Sequence, residues 1–422
     1  MARMIQLVHR YPPSQGGAES HAQRLAKTLA GRGHTVRVET TTGQTHDAFV
    51  NPRASRLPPG IETDGAVMVR RHPVWVLPGQ RLALSALGLL PLPYSMAPWL
   101  FPWGPVCPGL ARLHVPEEEK PDVVHAMAFP HGTIAAAGLR LARRHGARFA
   151  LTPFWHPGPS GPSGDRFRRG FNHPSLVAIA RQADLVIAQT KTEQSHLTGL
   201  GIALEKIAVA PPGIDPSQVT GGNRERGRQR WGLPSHGVVV GHLAPICRGK
   251  GSVALIEALN AMKGDGVHGL FAGPVLAEAS KAAQSLPPHI RMVPPLDEEA
   301  RRDFFATIDI FCLPSVIDSF GLVLLEAWAA EIPCVVARAG GPGDLVASGG
   351  GIVVDHPEAA SIAPALIHLA RDPGLRAQLG AEGSARLRKS FLAEHRYGAI
   401  AQLIEGLSSQ SVRVPGEHPT IS

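Results

Sequence analysis

Apolar residues in this chain fall into short unbroken runs separated by longer stretches in which they recur every three or four positions. Residues 4–9 (MIQLVH) form the first run. After a Pro/Gly loop, Ala18, Ala22, Leu25, Ala26, Leu29 and Ala30 share one face of a predicted helix over 18–30, which Gly31 and Gly33 stop. A strand over 35–39 completes a strand-loop-helix-strand unit of the kind that builds parallel sheets. The same reading gives strands over 122–125, 148–152, 183–188 and 206–210 and a helix over 132–144. Pro211-Pro212-Gly213-Ile214-Asp215 and the polar stretch 217–230 then read as a hinge. Beyond it the pattern restarts, with strands over 237–241, 269–272, 308–313, 334–337 and 351–354 and helices over 252–262, 276–285, 359–371 and 373–390. The expectation is an α/β protein of two alternating domains, 1–215 and 216–395, followed by an amphipathic segment over 397–407 and a disordered tail over 409–422.

Two stretches depart from this pattern. Residues 322–330 are too uniformly apolar for a surface helix and are therefore read as a buried one, yet they carry Glu326. Burying a carboxylate without hydrogen bonds costs several kcal/mol, so a polar group of the protein or of a ligand must meet it. The second is an insertion over 74–108, in which Trp75, Trp99, Phe101 and Trp103 surround the apolar run 82–92. It is too short and too broken by proline to span a bilayer. Two readings stay open for it: an apolar acceptor channel or membrane-resting surface, and a lid packed on its own core.

Composition narrows the class. A chain of 422 residues with 44% hydrophobic and 18% charged residues has enough material for two cores. The net charge of +8 comes from clusters at 140–148, 166–169 and 224–230 that lack interleaved aromatics, which argues against a nucleic-acid platform. Cys107, Cys247, Cys312 and Cys334 are scattered, with no Cys-x-x-Cys pair to suggest zinc or a disulfide framework. No apolar run of signal-peptide length opens the sequence, so the expected location is cytoplasmic, with the insertion allowing peripheral contact at the inner membrane face. No Gly-x-Gly-x-x-Gly follows a strand, which counts against a nicotinamide enzyme.

The candidate chemistry gathers at glycine turns, cations and two acids. Asp318 and Glu326 stand eight positions apart around Ser319-Phe320-Gly321, the loop that leads into the buried helix and offers free amides. Gly16 and Gly17 precede the first helix, where a missing Cβ lets the main chain approach a phosphate. Arg248 and Lys250 follow the first strand of the second half, and His156 follows the strand over 148–152. His125 and His131 also flank a strand end, on the side read as facing the acceptor.

Asp318-x7-Glu326 with its Ser-Phe-Gly resembles the Glu-x7-Glu signature of the retaining glycosyltransferases of family 4. The resemblance continues in order through Pro12-Pro13-Ser14-Gln15-Gly16-Gly17-Ala18-Glu19, Ala183-Asp184-Leu185-Val186, Pro212-Gly213-Ile214-Asp215 and Gly340-Gly341. It implies the GT-B fold, two Rossmann-like domains facing each other across a cleft, with residues 396–408 returning to the first domain. It also implies a nucleotide-diphosphate sugar donor, UDP favoured over GDP, and neither metal nor cofactor. The acceptor expected is a glycan or lipid-linked saccharide, with a small metabolite as the alternative. By the same resemblance Glu326 holds the ribose, Asp318 faces the sugar, His156 touches the donor sugar, and Gly16, Gly17, Lys250 and the amides of Ser319, Phe320 and Gly321 meet the diphosphate.

The chain departs from the family pattern at three places. Asp318 is one methylene shorter than the usual Glu, about 1.5 Å of lost reach. His242 stands where the family has an arginine, with Arg248 as the replacement cation, and Asp344 also replaces a Glu. Two rival functions share the fold: a sugar-nucleotide epimerase, for which no acid-base carboxylates around the sugar are assignable, and a catalytically silent donor-binding protein.

Overall fold

The computed structural model describes residues 1–77, 79–80, 104–158 and 168–409. The apolar run at the centre of the predicted insertion and the predicted tail lie outside them. The first sheet contains eight strands: β1 (Arg3–Val8), β2 (Thr35–Thr41), β3 (Gly60–Asp64), β4 (Val67–His72), β5 (Val123–Met127), β6 (Arg148–Thr152), β7 (Leu185–Ala188) and β8 (Ile207–Val209). Their spatial order is β3-β4-β2-β1-β5-β6-β7-β8, parallel except for the antiparallel β3–β4 hairpin. The second sheet is wholly parallel, β11-β10-β9-β12-β13-β14, from β9 (Val238–Leu243), β10 (Val267–Ala272), β11 (Ile290–Val293), β12 (Ile310–Leu313), β13 (Cys334–Ala337) and β14 (Gly351–Val354). The predicted α/β architecture of two sheet domains is what the chain forms.

Topology then determines where ligands gather. In each sheet the chain runs outward from one strand and crosses back to that strand's other side, at β1/β5 in the first and β9/β12 in the second. A parallel sheet binds ligands at the carboxyl ends of the strands beside such a reversal. The loops after β1, β5, β9 and β12 carry His9 to Gly17, His131, Lys250 and Asp318 respectively.

The helices that matter are α1 (Gly17–Gly31), α2 (Gly132–His145), α3 (Lys191–Gly199), α4 (Ser252–Ala261), α5 (Glu298–Thr307), α6 (Leu322–Ala329), α7 (Gly340–Val346), α8 (Ala359–Arg371), α9 (Pro373–Ser390) and α10 (Ala393–Ser409). Helix α6 is as buried as its composition requires: Leu324, Leu325, Ala327 and Trp328 are inaccessible. Trp328 donates its Nε1–H to Gly350 O at 2.8 Å, and its indole fills space that a Cβ on Gly350 or Gly383 would occupy. Truncating it to Ala would cost about 3–5 kcal/mol.

The two domains are crossed twice by the chain, side by side. Ile214 N–H donates to Phe391 O at 3.0 Å and Ala393 N–H to Ile214 O at 2.8 Å, so the outgoing linker pairs with the returning one. Helix α10 then packs on α1, with Tyr397 OH 3.2 Å from His21 Nδ1 and Glu405 gripped by Arg32 and His34 at 2.7 and 2.8 Å. Among the described residues no helix is long and apolar enough to cross a membrane.

Local details differ from the sequence pattern where packing overrides it. The stretch 217–230, read as a polar hinge, contains a helix over Arg224–Arg230, held because Arg226 reaches the buried Asp303 at 2.7 Å. The helix expected over 276–285 is a 3-10 turn followed by the short helix Ser280–Gln284. The β3–β4 hairpin lacked an apolar run to announce it, since β3 is mostly exposed.

Candidate functional site

On the second domain, two glycines press one loop against another. A Cβ on Gly249 would lie 2.7 Å from Ile317 Cδ1, and one on Gly251, whose φ is 74°, 2.5 Å from Pro314. Val316 N–H donates to Gly249 O at 3.0 Å across the same contact. This closeness brings Lys250 Nζ to 2.5 Å from Asp318 Oδ1. Burial pushes the Asp318 carboxyl up, but the charge of Lys250 and its hydrogen bond outweigh that, and the net shift is below the usual carboxylate value. Ser315 adds a further hydrogen bond to the carboxylate, whose other oxygen, Oδ2, is buried.

Arg248 does not join this pair. Its backbone N–H donates to Glu278 Oε1 at 2.9 Å, and the residue is exposed. His242 is fully buried. Its Nδ1–H donates to Cys312 O at 2.8 Å, which leaves Nε2 to accept from Ser252 Oγ at 2.9 Å. It therefore ties β9 to β12 and to the start of α4, and burial pushes it down to about 4. The residue in the family's arginine position is a neutral strut.

Gly321, at φ 87°, caps α6 in the left-handed region that favours glycine, and Phe320 packs against Phe391 at 5.9 Å, anchoring the loop Asp318 to Gly321. Gly340 and Gly341 seat on that loop; a Cβ on Gly341 would overlap Ser319 O. Glu326, 8% exposed, is paired with Arg301 on α5. The partner that a buried carboxylate demanded is thus a guanidinium of the protein, itself about one-third exposed. Of the two partners that the sequence left open, a group of the protein or of a ligand, this is the first.

The first domain contributes from the opposite wall. A Cβ on Gly17 would sit 3.9 Å from Leu322 Cδ1, the first residue of α6, so the Gly16-Gly17 turn faces that helix start directly. Behind the turn Glu19 is buried, with its carboxylate folded under Gly16. It lies 2.6 Å from Arg10 Nη2 and 3.4 Å from His9 Nε2. His156 comes from the loop after β6 and reaches the second domain, hydrogen-bonding the backbone of Val316. Burial pushes it down to about 3, with Asp318 raising and Lys250 lowering it, so the imidazole is neutral at pH 7 and near both charges. Pro157 beside it lies 3.1 Å from the Cβ position of Gly340.

The His156 loop is held by a residue that the sequence reading missed. Glu193 on α3 is buried and accepts from Trp155 N–H at 2.8 Å and Gln189 N–H at 2.7 Å, while Trp155 stacks on His196 at 3.6 Å. Burial raises the Glu193 carboxyl to about 8 against the opposing pull of those two N–H groups. Phe154, with φ 54°, holds the turn in the left-handed region. The only sequence sign of Glu193 was a Thr-x-x-Glu capping pattern at Thr190, whose hydroxyl accepts from Glu193 N–H at 3.1 Å. Nothing in the sequence marked Arg301.

The structure therefore brings Gly16, Gly17, His156, Lys250, Asp318, Ser319, Phe320 and Gly321 to one cleft, with Glu326 one helical turn deeper and Arg248 outside. His125 lies inside the sheet, 2.8 Å from Thr152 Oγ1, and His131 caps α2.

Comparison with known proteins bears on what this cleft serves. Residues 16–213 match the family described as a glycosyl transferase 4-like domain, and residues 223–386 the family described as glycosyl transferases group 1. The D-inositol 3-phosphate glycosyltransferase of Acidothermus cellulolyticus is 30% identical over 56% of this chain, which spans 59% of that relative's length. The enzyme of the same name from Nocardiopsis dassonvillei is 27% identical over 86% of this chain and 83% of its own. In three dimensions the chain is similar to Anabaena HepE, solved in complex with UDP and glucose, with a TM-score of 0.71 at 19% identity over 97% of this chain and 100% of that one.

Proposed function

The chain belongs to the family 4 glycosyltransferases of the GT-B fold, and on that premise we propose that it moves a sugar with retention from UDP-sugar to a hydroxyl of a polyol acceptor. The observation that carries the donor half is the Lys250–Asp318 pair at 2.5 Å, set between the Gly16-Gly17 turn and the start of α6. In this reading the departing diphosphate draws Lys250 toward itself, and the amides of Gly16, Gly17 and the Ser319 to Gly321 loop share its charge. Asp318, released by Lys250 at Oδ1, accepts a sugar hydroxyl. Glu326 holds the ribose by exchanging Arg301 for paired hydroxyls. His156, neutral and donating its one N–H to the Val316 backbone, presents an accepting nitrogen on its other edge to a sugar hydroxyl near the reacting carbon. No side chain in the cleft needs to act as a strong base, because the leaving phosphate itself takes the acceptor's proton on the face where the bond breaks. UDP is favoured because HepE is solved with it. A phosphorylated polyol is supported as acceptor by the names of the two relatives, and a glycan or lipid-linked acceptor rested on the insertion.

A thermal-shift screen of nucleotides and nucleotide sugars tests the donor, since only a ligand of the folded protein stabilises it. A UDP-sugar should give the largest shift, and adding inositol phosphate or an oligosaccharide should then release UDP. Stabilisation by UDP-sugars with no UDP release across both acceptor classes would favour a silent binder. A sugar altered without any acceptor would favour an epimerase.

A further inference from the structure

Three imidazoles meet at the mouth of the first sheet, behind the Gly16-Gly17 turn, with Glu19 between them and it. His9 ends β1, His46 opens the 3-10 turn His46–Phe49 that follows β2, and His131 caps α2 beyond β5. Since β2, β1 and β5 are adjacent in that order, their carboxyl ends deliver the three rings to one place. One ring nitrogen from each lies within 4.8 Å of the others.

We propose that His9, His46 and His131 form a binding site for one divalent transition ion of the zinc type, with its fourth position open toward the acceptor half of the cleft. Three imidazoles without a carboxylate in the set suit zinc, nickel or copper and not magnesium, which prefers oxygen. His9 has the surroundings of a ligand. Its Nε2 faces Glu19 at 3.4 Å, and its Nδ1 is buried with no hydrogen-bond partner. A carboxylate behind one ring nitrogen is the usual way to orient the other toward a metal.

The rings stand closely packed. His46 stacks on His9 at 5.2 Å and on His131 at 5.6 Å, and His9 meets His131 at 4.4 Å with an interplanar angle of 34°. Tetrahedral zinc places ligand nitrogens about 3.4 Å apart, so the lone pairs must swing inward to converge. His46 is the side chain free to do this, being exposed on a short turn, whereas His9 and His131 are buried on fixed elements. Phe49 closes one side edge-on to His131 at 5.4 Å and to His46 at 6.0 Å, a dry wall that strengthens ligation. This departs from the expectation of no metal, and it stands or falls independently of the donor reading because its test reads metal and not transfer.

The test uses the full chain without a histidine tag, stripped with chelator and titrated with Co2+ as a spectroscopic stand-in and with Zn2+ against a chromophoric competitor. One equivalent of Co2+ should give the visible bands of a four-coordinate site. His46→Ala and His131→Ala should each weaken Zn2+ binding at least tenfold, while His236→Ala, an exposed histidine elsewhere, should leave it unchanged. The His46 variant alters an exposed side chain, so it guards against a mere folding defect at His131. Absence of the bands, or equal weakening by His236→Ala and His46→Ala, would mean scattered surface histidines and overturn the site.

Discussion

The two walls of this cleft bury polar groups in different proportions. The first domain relies mostly on uncharged rings, His21, His125 and His156 being buried and His9, His46 and His131 stacked at the strand ends, beside one buried ion pair of Glu19 with Arg10. The second does it with ion pairs, Lys250 with Asp318 and Arg301 with Glu326. A neutral imidazole costs little to bury when hydrogen-bonded, but it resists protonation. An ion pair tolerates burial only while both partners remain, and it can exchange one partner for a charged ligand. The donor wall is thus pre-charged for diphosphate and pentose, while the other wall presents neutral nitrogens.

The largest expected consequence is an asymmetric response to acid. Burial lowers His21 to about 4 and His125 and His156 to about 3. Each binds fewer protons folded than unfolded between those values and 6.5. Their stabilisation is therefore complete above about pH 6.5 and is lost as pH falls, at about 1.4 kcal/mol per unit for each group inside that window, while Glu193, raised to about 8, runs the other way and offsets one of the three. In the second domain only the buried His242 and the half-buried His268 respond this way. Asp318, whose value is depressed, keeps its contribution until pH falls through the carboxylate range. Urea unfolding at pH 7, 5.5 and 4.5, read by pyridyl disulfide labelling of buried thiols, should expose Cys107 before Cys312 and Cys334 as pH drops. The reverse order would break the comparison.

Next in size is Lys250→Ala, expected to lower kcat by roughly 10²–10³ with a smaller change in donor affinity, because its contact strengthens as phosphate charge develops. Steady-state kinetics with the UDP-sugar found by thermal shift separates the two. Equal losses in affinity and turnover would place the lysine in ground-state binding. Glu326→Ala follows, expected to weaken UDP binding by about 1.5–3 kcal/mol through lost charged hydrogen bonds, measured by calorimetry. Unchanged affinity would leave Glu326 as a structural partner of Arg301.

The sequence carried the two-domain α/β architecture because parallel strands buried on both faces read as continuous apolar runs, Cys334–Ala337 being one. It also carried the cleft residues that sit at glycine turns, since Gly16, Gly17, Gly249, Gly251, Gly321 and Gly341 all lie where a Cβ would collide or the backbone is left-handed, or at the cleft itself. What stayed hidden was contact between distant elements. Arg301 reaches Glu326 from a different helix with no local pattern to announce it, and Glu193, marked only by the capping pattern at Thr190, holds Trp155 across 38 positions. His242 illustrates another limit: its position marked only a missing charge, and it is the neighbours Cys312 and Ser252 that assign it to the core.

The smallest expected effect concerns sign more than size. If the nucleoside takes Glu326 from Arg301, then the ion pair competes with the ligand, and Arg301→Ala should tighten UDP binding. The gain is bounded, because Arg301 is about one-third exposed and pairs at partly hydrated surfaces are worth about 1 kcal/mol or less. The same variant should cost little stability if the freed Glu326 rehydrates through that opening. If Arg301 instead stays with Glu326 and bridges it to the nucleotide, its removal must weaken UDP binding, and the weakening should disappear in the Glu326→Ala background. A double-mutant cycle by calorimetry separates the outcomes, since competition predicts that Arg301→Ala tightens binding only while Glu326 is present. Salt sharpens it further. Screening weakens a pair with one partner about one-third exposed more than a fully buried contact, so in the competitive case the advantage of Arg301→Ala over the parent chain shrinks as ionic strength rises.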